Sequence, residues 1–353
     1  MGRNAFRPLR KAASRSRAEA PGVEKRILGR TALRVSALGF GCGNVGGLMV
    51  RGTPAGQERA VARALELGVN YFDTAAMYGD GRSETNLGRV LSVLRPDIVL
   101  ATKTRADPDD PRGIAKTIAA SAEASLRRLR RERVDVFQLH TPVTLAGEGN
   151  TLSVRAVIDE VIPAFEALRQ QGKIGFYGFS GTGAPAAMPR LIATGMFSVA
   201  QVIYNVINSS AGGTAFESVG ADFAHVLADI TEARMGAAAI RVLAAGALGD
   251  AEARHPVASP GPEPMGSSAD YAGDVAVARR LLPLVTEGHV ESLVEAALRF
   301  AISHPAISTA LIGFSDLDQV ETAAAIVAKG PLPAETLDRM RELQLPEAGT
   351  RTP

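Results

Sequence analysis

Four residues in this chain have side chains suited to proton transfer, and each stands at or just past the carboxyl end of an apolar run. Asp73 closes the run at 70–73, and Tyr78 follows five residues later among Gly79 and Gly81. Lys103 ends the run at 98–103, and His140 ends the run at 134–140. A free tyrosine is a weak acid near neutral pH, but an ammonium group beside it favours the phenolate. Lys103 is expected to supply that charge and lower the Tyr78 value. Asp73 would hold the lysine by an ion pair, and His140 would orient an oxygen between itself and Tyr78. Such a set suits protonation of an oxygen while carbon accepts a hydride. No side chain donates hydride, so this reading requires a bound nicotinamide.

Short apolar runs and amphipathic segments alternate through the chain with a period of one strand plus one helix. Strands are predicted over 35–40, 70–73, 98–103, 134–140, 174–179, 199–204, 237–242 and 308–312. A hairpin is expected to precede them, turning at Gly29–Thr31. Helices are predicted over 53–67, from 83 to about 95, 111–130, 154–170, 185–194, 222–233, 291–303 and 316–328, with a last one over 334–343. Starts are marked by Thr53-Pro54 and by Ser83-Glu84, and stops by Gly68 and Gly172. Parallel strands covered on both faces read as continuous apolar runs, so eight such units predict an α/β fold, a (β/α)8 TIM barrel. Its carboxyl rim is where the four residues would meet. The segments 205–220 and 249–273 interrupt the rhythm on that rim. Both read as lids or substrate walls, with disorder the other reading for the second.

The domain organisation follows: a basic tail over 1–24, one barrel domain over 25–345 and a short tail over 346–353. Residues 1–18 carry six cations and no acid, a composition shared by transit peptides and solvated tails. Over the whole chain 39 basic residues balance 37 acidic ones, so nothing global calls for a nucleic-acid or membrane partner. The arginines of 127–133 read as the solvated carboxyl end of a helix. No apolar run of spanning length occurs, and the expected location is the cytoplasm. A lone Cys42 excludes an intrachain disulfide, and the five histidines lack ligand spacing, so no metal is expected.

Gly41-Cys42-Gly43-Asn44-Val45-Gly46 matches the dinucleotide fingerprint G-x-G-x-x-G. That motif works only where a helix opens at the glycines, and Gly46, Gly47, Gly52 and Pro54 keep this stretch irregular.

On Asp73, Tyr78, Lys103 and His140, with the stretch 72–91 and Leu139-His140, the chain resembles the aldo-keto reductase family over about 25–328. The resemblance implies Tyr78 as general acid/base, Lys103 and Asp73 as its tuning pair, and His140 as the carbonyl-orienting residue. It also implies NAD(P)H lying across the barrel mouth without a Rossmann domain, NADP being the family default. Implied nucleotide contacts are Gly43, Asn44 and Asp73 at the ribose, Ser180 and Gln201 at the carboxamide, and Arg241 and Leu243 at the end of the seventh strand. Ile312, Gly313, Ser315 and Gln319 complete them, Gln319 on the adenosine side. Gly181 replaces an asparagine that commonly follows Ser180, and no tyrosine stands where one commonly stacks on the nicotinamide. Basic residues that grip a 2′-phosphate are missing from 312–319, where Asp316 and Asp318 would repel it, which leaves NAD open. The expected partner is a small carbonyl or sugar substrate, with an aldehyde, ketone or lactol interconverted with its alcohol or lactone. A nucleotide-sensing regulator resembling channel β subunits is the alternative. The residues assign no substrate and no oligomeric state.

Overall fold

Two-residue alternation along each strand decides what the inside of this molecule contains. A computed structural model describes residues 22–110, 113–213, 218–249 and 254–344. Eight parallel strands close into a barrel in the order β10-β11-β12-β3-β4-β5-β6-β9. They are β3 (Leu38–Gly41), β4 (Tyr71–Asp73), β5 (Val99–Thr104), β6 (Val134–Leu139), β9 (Ile174–Ser180), β10 (Val199–Ile203), β11 (Gly236–Ile240) and β12 (Ile307–Gly313). The remaining strands are a hairpin, β1 (Lys25–Ile27) with β2 (Arg34–Ser36), and a two-residue ladder at the rim, β7 (Val143–Thr144) with β8 (Leu152–Ser153).

Inside, Tyr71, Ala101, Val136 and Val199 form an apolar layer with Val99 and Leu311. Leu28 and Val35 of the β1–β2 hairpin join the same cluster and close the amino end of the barrel. The closure leaves no slack at Gly29, where φ is +51° and a side chain would collide with the backbone of Met235 and Gly236. Two residues beyond each apolar position stands a polar one: Asp73 after Tyr71, Lys103 after Ala101, Gln138 after Val136 and Gln201 after Val199. Strand alternation stacks that polar layer directly above the apolar one.

The outer ring consists of α1 (Leu48–Arg51), α2 (Pro54–Glu66), α3 (Arg82–Leu94), α4 (Ile114–Leu129), α5 (Val154–Ala156), α6 (Ile162–Gln170), α7 (Ala187–Ala193) and α8 (Val226–Glu232). It continues with α9 (Tyr271–Arg279), α10 (Pro283–Thr286), α11 (Leu293–Ser303), α12 (Leu317–Ala328) and α13 (Ala334–Gln344). Thr53 caps α2 by accepting from the Gly56 N–H, and Ser292 caps α11 by accepting from the Glu295 N–H. No described helix is long and apolar enough to cross a membrane, and no described cluster of ligating side chains suits a metal.

Several boundaries depart from expectation. The strand predicted over 35–40 is split at Ala37, because its first half pairs with the hairpin and only the second half enters the barrel. The helix predicted over 154–170 contains a π turn at Val157–Val161. Pro163 lacks the N–H that would continue the α ladder there. The helix predicted from 222 begins at Val226, since Ala224 and His225 adopt left-handed backbone and Asp222 accepts from the Ala224 N–H. One turn, α1, forms inside the stretch expected to be irregular. Helices α9 and α10 were not predicted.

The stretch 254–270 is irregular but tied down, against the reading of disorder. Arg254 donates to the carbonyls of Ala245 and Ser259, the Ser259 N–H donates to the Val45 carbonyl, and the Val257 carbonyl accepts from Arg51. It thus straps the end of β11 to the loop after β3. Of the tail expected over 1–24, residues 1–21 lie outside the described residues, while Val23 is buried and donates its N–H to the Leu67 carbonyl at 3.2 Å rather than belonging to a free tail. Residues 346–353, the first two residues predicted for the helix at 111, and 214–217 and 250–253 of the two rim loops also lie outside the described residues.

Behind the rim, Glu84 on α3 is fully buried and accepts from Thr102 of β5 at 2.5 Å and from Arg128 of α4 at 2.7 Å. Arg128 is therefore a tie between two helices and a strand rather than only a solvated helix end. Truncation of Arg128 to alanine leaves a buried carboxylate without its cation, and a loss of about 2–4 kcal/mol is expected in urea unfolding. An unchanged midpoint would show that Thr102 alone satisfies Glu84.

Candidate active site

The polar layer converges on one carboxylate. Lys103 donates to Asp73 Oδ1, Gln201 Nε2 donates to Oδ2 at 2.7 Å, and Gln138 Nε2 approaches Oδ2 at 3.3 Å. Lys103 Nζ also donates to the Thr74 carbonyl at 2.9 Å and reaches the Tyr78 hydroxyl at 3.4 Å. Ser180, the last residue of β9, donates to Gln201 Oε1 at 3.3 Å. Asp73, Lys103, Ser180, Gln138 and Gln201 are all buried.

Tyr78 rides on the loop that leaves β4. Ala76 N–H donates to the Lys103 carbonyl at 3.2 Å, and the Tyr78 carbonyl accepts from the Ser83 N–H at 3.2 Å. Ser83 Oγ in turn donates to the Cys42 carbonyl and contacts Thr74 Oγ1, both at 2.8 Å. This pins the loop from below, and Gly79 and Gly81, both at positive φ, let it turn tightly into α3. Lys103 Nζ lies 5.0 Å from the Tyr78 ring centroid. His140 follows β6, held by its N–H to the Thr104 carbonyl at 2.7 Å. Its ring stands edge-on to Tyr78 at 5.7 Å and 90°, and its Nδ1 is buried with no hydrogen-bond partner among the described residues.

Burial governs the titration of this cluster. It pushes Asp73 above the ordinary carboxylate value, against the pull of Lys103, Gln201 and Gln138. Burial alone would lower Lys103, but Asp73 and Tyr78 outweigh it and hold the ammonium above its ordinary value. Tyr78 is raised, chiefly by burial, although Lys103 opposes the shift. The expectation of a lowered Tyr78 is thus corrected: in this dry loop desolvation exceeds the attraction of an ammonium already neutralised by Asp73. Burial also pushes the Cys42 thiol up, away from reactivity. His140 is pushed down to about 3 by burial and by the nearby charges of Lys103 and Arg105.

The other expected nucleotide contacts fall into two groups. Ile312 and Gly313 end β12 where it pairs with Phe40 and Gly41 of β3, Ser315 and Gln319 follow it, and Gly43 and Asn44 belong to the loop after β3, Gly43 facing the Tyr78 ring. The loop after β3 lies so close to that strand end that a side chain at Gly46 would strike the backbone of Gly313 and Phe314. Ser315 Oγ donates to the Gly46 carbonyl at 2.7 Å, and Gln319 Oε1 accepts from the Ser315 N–H at 2.8 Å. Asp316 caps α12 through the Gln319 N–H and has His255 Nε2 at 3.4 Å. Arg241 and Leu243 form the second group at the end of β11. The Arg241 guanidinium donates to the Glu263 carbonyl at 3.0 Å, and Leu243 precedes a 3₁₀ turn at Ala244–Gly246. The G-x-G-x-x-G loop leads only into the single turn α1, which is no dinucleotide helix.

Sequence reasoning missed Gln138, although it lies two residues before His140 and so faces the same interior. It also assigned Gln201 no contact with Asp73.

Because His140 in the folded chain sits below its ordinary 6.5, the unfolded chain binds the proton more readily between about pH 3 and 6.5. Stability therefore falls as pH drops through that window. From neutral to about pH 5 the contribution is about 2 kcal/mol. His140→Gln is expected to lose that part of the acid slope in urea unfolding at the two pH values. Equal slopes in both proteins would refute the assignment.

The family model described as the aldo/keto reductase family matches residues 37–345. Over 165 residues the chain is 35% identical to an L-galactose dehydrogenase of Arabidopsis thaliana, covering 45% of this chain and 49% of that protein. It is 32% identical over 170 residues to a putative voltage-gated potassium channel subunit beta of Schizosaccharomyces pombe, covering 45% of each. The chain thus spans about half the length of the curated relatives it matches. An aldo-keto reductase from Bacillus halodurans, in its holo form, has the same fold at a TM-score of 0.69 and 27% identity, covering 92% of this chain and 97% of that one. With the family model spanning nearly all of the barrel, and a solved member sharing its architecture end to end, this chain belongs to the aldo/keto reductase family.

Proposed function

We propose that the protein is an NAD(P)-dependent oxidoreductase that interconverts an aldehyde, ketone or sugar lactol with the corresponding alcohol or lactone. The observation that carries this reading is the Lys103 ammonium, which bridges the Asp73 carboxylate and the Tyr78 hydroxyl at the barrel mouth. A bound nicotinamide would supply or accept the hydride. The amide of Gln201 and the hydroxyl of Ser180 suit its carboxamide, and Gly43 beside the Tyr78 ring and the close approach of Gly46 to Gly313 leave backbone to meet the rest of the nucleotide.

In the reductive direction Tyr78 Oη donates its proton to the substrate oxygen. Raised by burial, Tyr78 remains protonated at neutral pH and is ready as the acid. The phenolate left behind is stabilised by Lys103, whose charge Asp73 maintains. His140 is neutral, so it donates one hydrogen bond to the same oxygen without bringing a proton that competes with Tyr78. Oxidation requires the reverse transfer to a Tyr78 phenolate, which burial disfavours. The reductive rate is therefore expected to be flat from about pH 6 to 8, while the oxidative rate climbs with pH toward the tyrosine range.

Tyr78→Phe is expected to lower turnover by at least about 10²-fold while nucleotide still binds, and His140→Ala to impair carbonyl reduction. Full activity in Tyr78→Phe, measured by loss of nucleotide absorbance, would overturn the mechanism. Tight nucleotide retention with negligible turnover of every carbonyl would instead favour the regulatory reading that the channel-subunit relative raises.

Coenzyme choice tilts to NAD in this reading. The carboxylate of Asp316 stands at the start of α12, where it opposes a 2′-phosphate and suits a free ribose hydroxyl. Parallel fluorescence titrations are expected to show tighter binding of NADH than of NADPH. The opposite order would assign a phosphate-binding role to a donor such as the His255 ring, which lies beside Asp316.

A further inference from the structure

The cations around the barrel mouth divide into matched and unmatched. Lys103 is answered by Asp73. Arg241 donates to the Glu263 carbonyl and is attracted by Asp274. Arg105 is exposed, and among the described residues its guanidinium has no hydrogen-bond or ion-pair partner.

Its backbone, by contrast, is fixed on both sides. The Thr104 carbonyl accepts from the His140 N–H at 2.7 Å. Ala106 is clamped to Thr141, its N–H donating to Thr141 Oγ1 at 2.8 Å and its carbonyl accepting from that hydroxyl at 2.9 Å. The ladder between β5 and β6 runs Lys103 to Gln138 and Thr104 to Leu139, so the next pair sets Arg105 beside His140. Alternation puts Arg105 on the side of Lys103 and His140 on the side of Gln138, the side that opens into the mouth.

Asp107 and Asp109 of the same loop form no ion pair with Arg105 among the described residues. Asp107 is engaged by the Asp109 N–H at 2.9 Å. The charges acting on the His140 ring are those of Lys103 and Arg105, and no carboxylate is among them. A guanidinium forms two parallel charge-assisted hydrogen bonds with a carboxylate, which a neutral hydroxyl or ester cannot match.

We propose that Arg105 binds a carboxylate carried by the substrate, so that the preferred substrates are carbonyl or lactol compounds bearing an acid group away from the reacting carbon. The carbonyl half of this statement rests on the oxidoreductase reading, and the anion half does not. Arg105 acts as a specificity residue at the rim, outside the proton-transfer set of Tyr78, Lys103 and His140.

The test separates the two halves. Succinic semialdehyde and its methyl ester are compared as substrates of the full chain by kcat/KM. Their binding to the Tyr78→Phe protein with NADH present is compared by calorimetry. The acid is expected to be preferred by at least about tenfold in both measurements, the scale of one charge-assisted hydrogen bond. That preference is expected to vanish in Arg105→Gln and to survive in part in Arg105→Lys, with the loss read in KM rather than kcat. An acid-to-ester ratio near one, or one unchanged in Arg105→Gln, would overturn the proposal. Acid binding that depends on Arg105 without turnover of any carbonyl would sustain the anion site and overturn the oxidoreductase reading. Turnover without acid preference would do the reverse.

Discussion

Everything at the rim depends on one carboxylate kept out of water. Asp73 is surrounded by Lys103, Gln201 and Gln138, and these donors are what make burial of its charge tolerable. They do not make it favourable, since burial still leaves Asp73 above its ordinary value. The ion pair is therefore not what holds the barrel together. That work is done one layer below, by Tyr71, Ala101, Val136 and Val199 with the hairpin residues Leu28 and Val35. An apolar layer thus carries a polar one, and the strand period of two is what ties each polar residue to its apolar support.

Burial is the chief influence on the protonation of both Tyr78 and His140, and it acts on them in opposite directions on the pH scale. It raises the phenol and lowers the imidazole, because in each case it favours the uncharged form. Both groups then carry a hydrogen to donate across neutral pH. A single physical cause prepares two donors, with the ammonium of Lys103 close to both.

Much of this was legible in the chain. Asp73, Lys103 and His140 end apolar runs, and Tyr78 stands among glycines, so their convergence followed from strand direction alone. The barrel itself was readable from eight alternations of run and helix, and the family match and the closed sheet agree with it. What escaped depends on partners distant in sequence. Gln138 looks like an ordinary strand residue until Asp73 is placed opposite it, and Arg128 looks like a solvated helix end until Glu84 is found buried beneath it. The direction of the Tyr78 shift also escaped, because a sequence names the charge beside a group but not how dry the site is. The split at Ala37 and the helices α9 and α10 were hidden for a simpler reason. A hairpin and a strand that share one apolar run look continuous, and a segment as poor in apolar period as 271–279 carries little helical signal.

The hairpin plug has a consequence for traffic. With Leu28 and Val35 packed against the inner apolar layer at the amino end, the polar layer of the barrel faces the opposite, carboxyl rim. Gln201 and Ser180 are buried there, whereas His140 is half-buried and Arg105 is exposed to solvent. In the proposed reading, a nucleotide whose carboxamide meets the buried Gln201 and Ser180 would lie beneath a substrate at the exposed Arg105, and so would enter before it and leave after it.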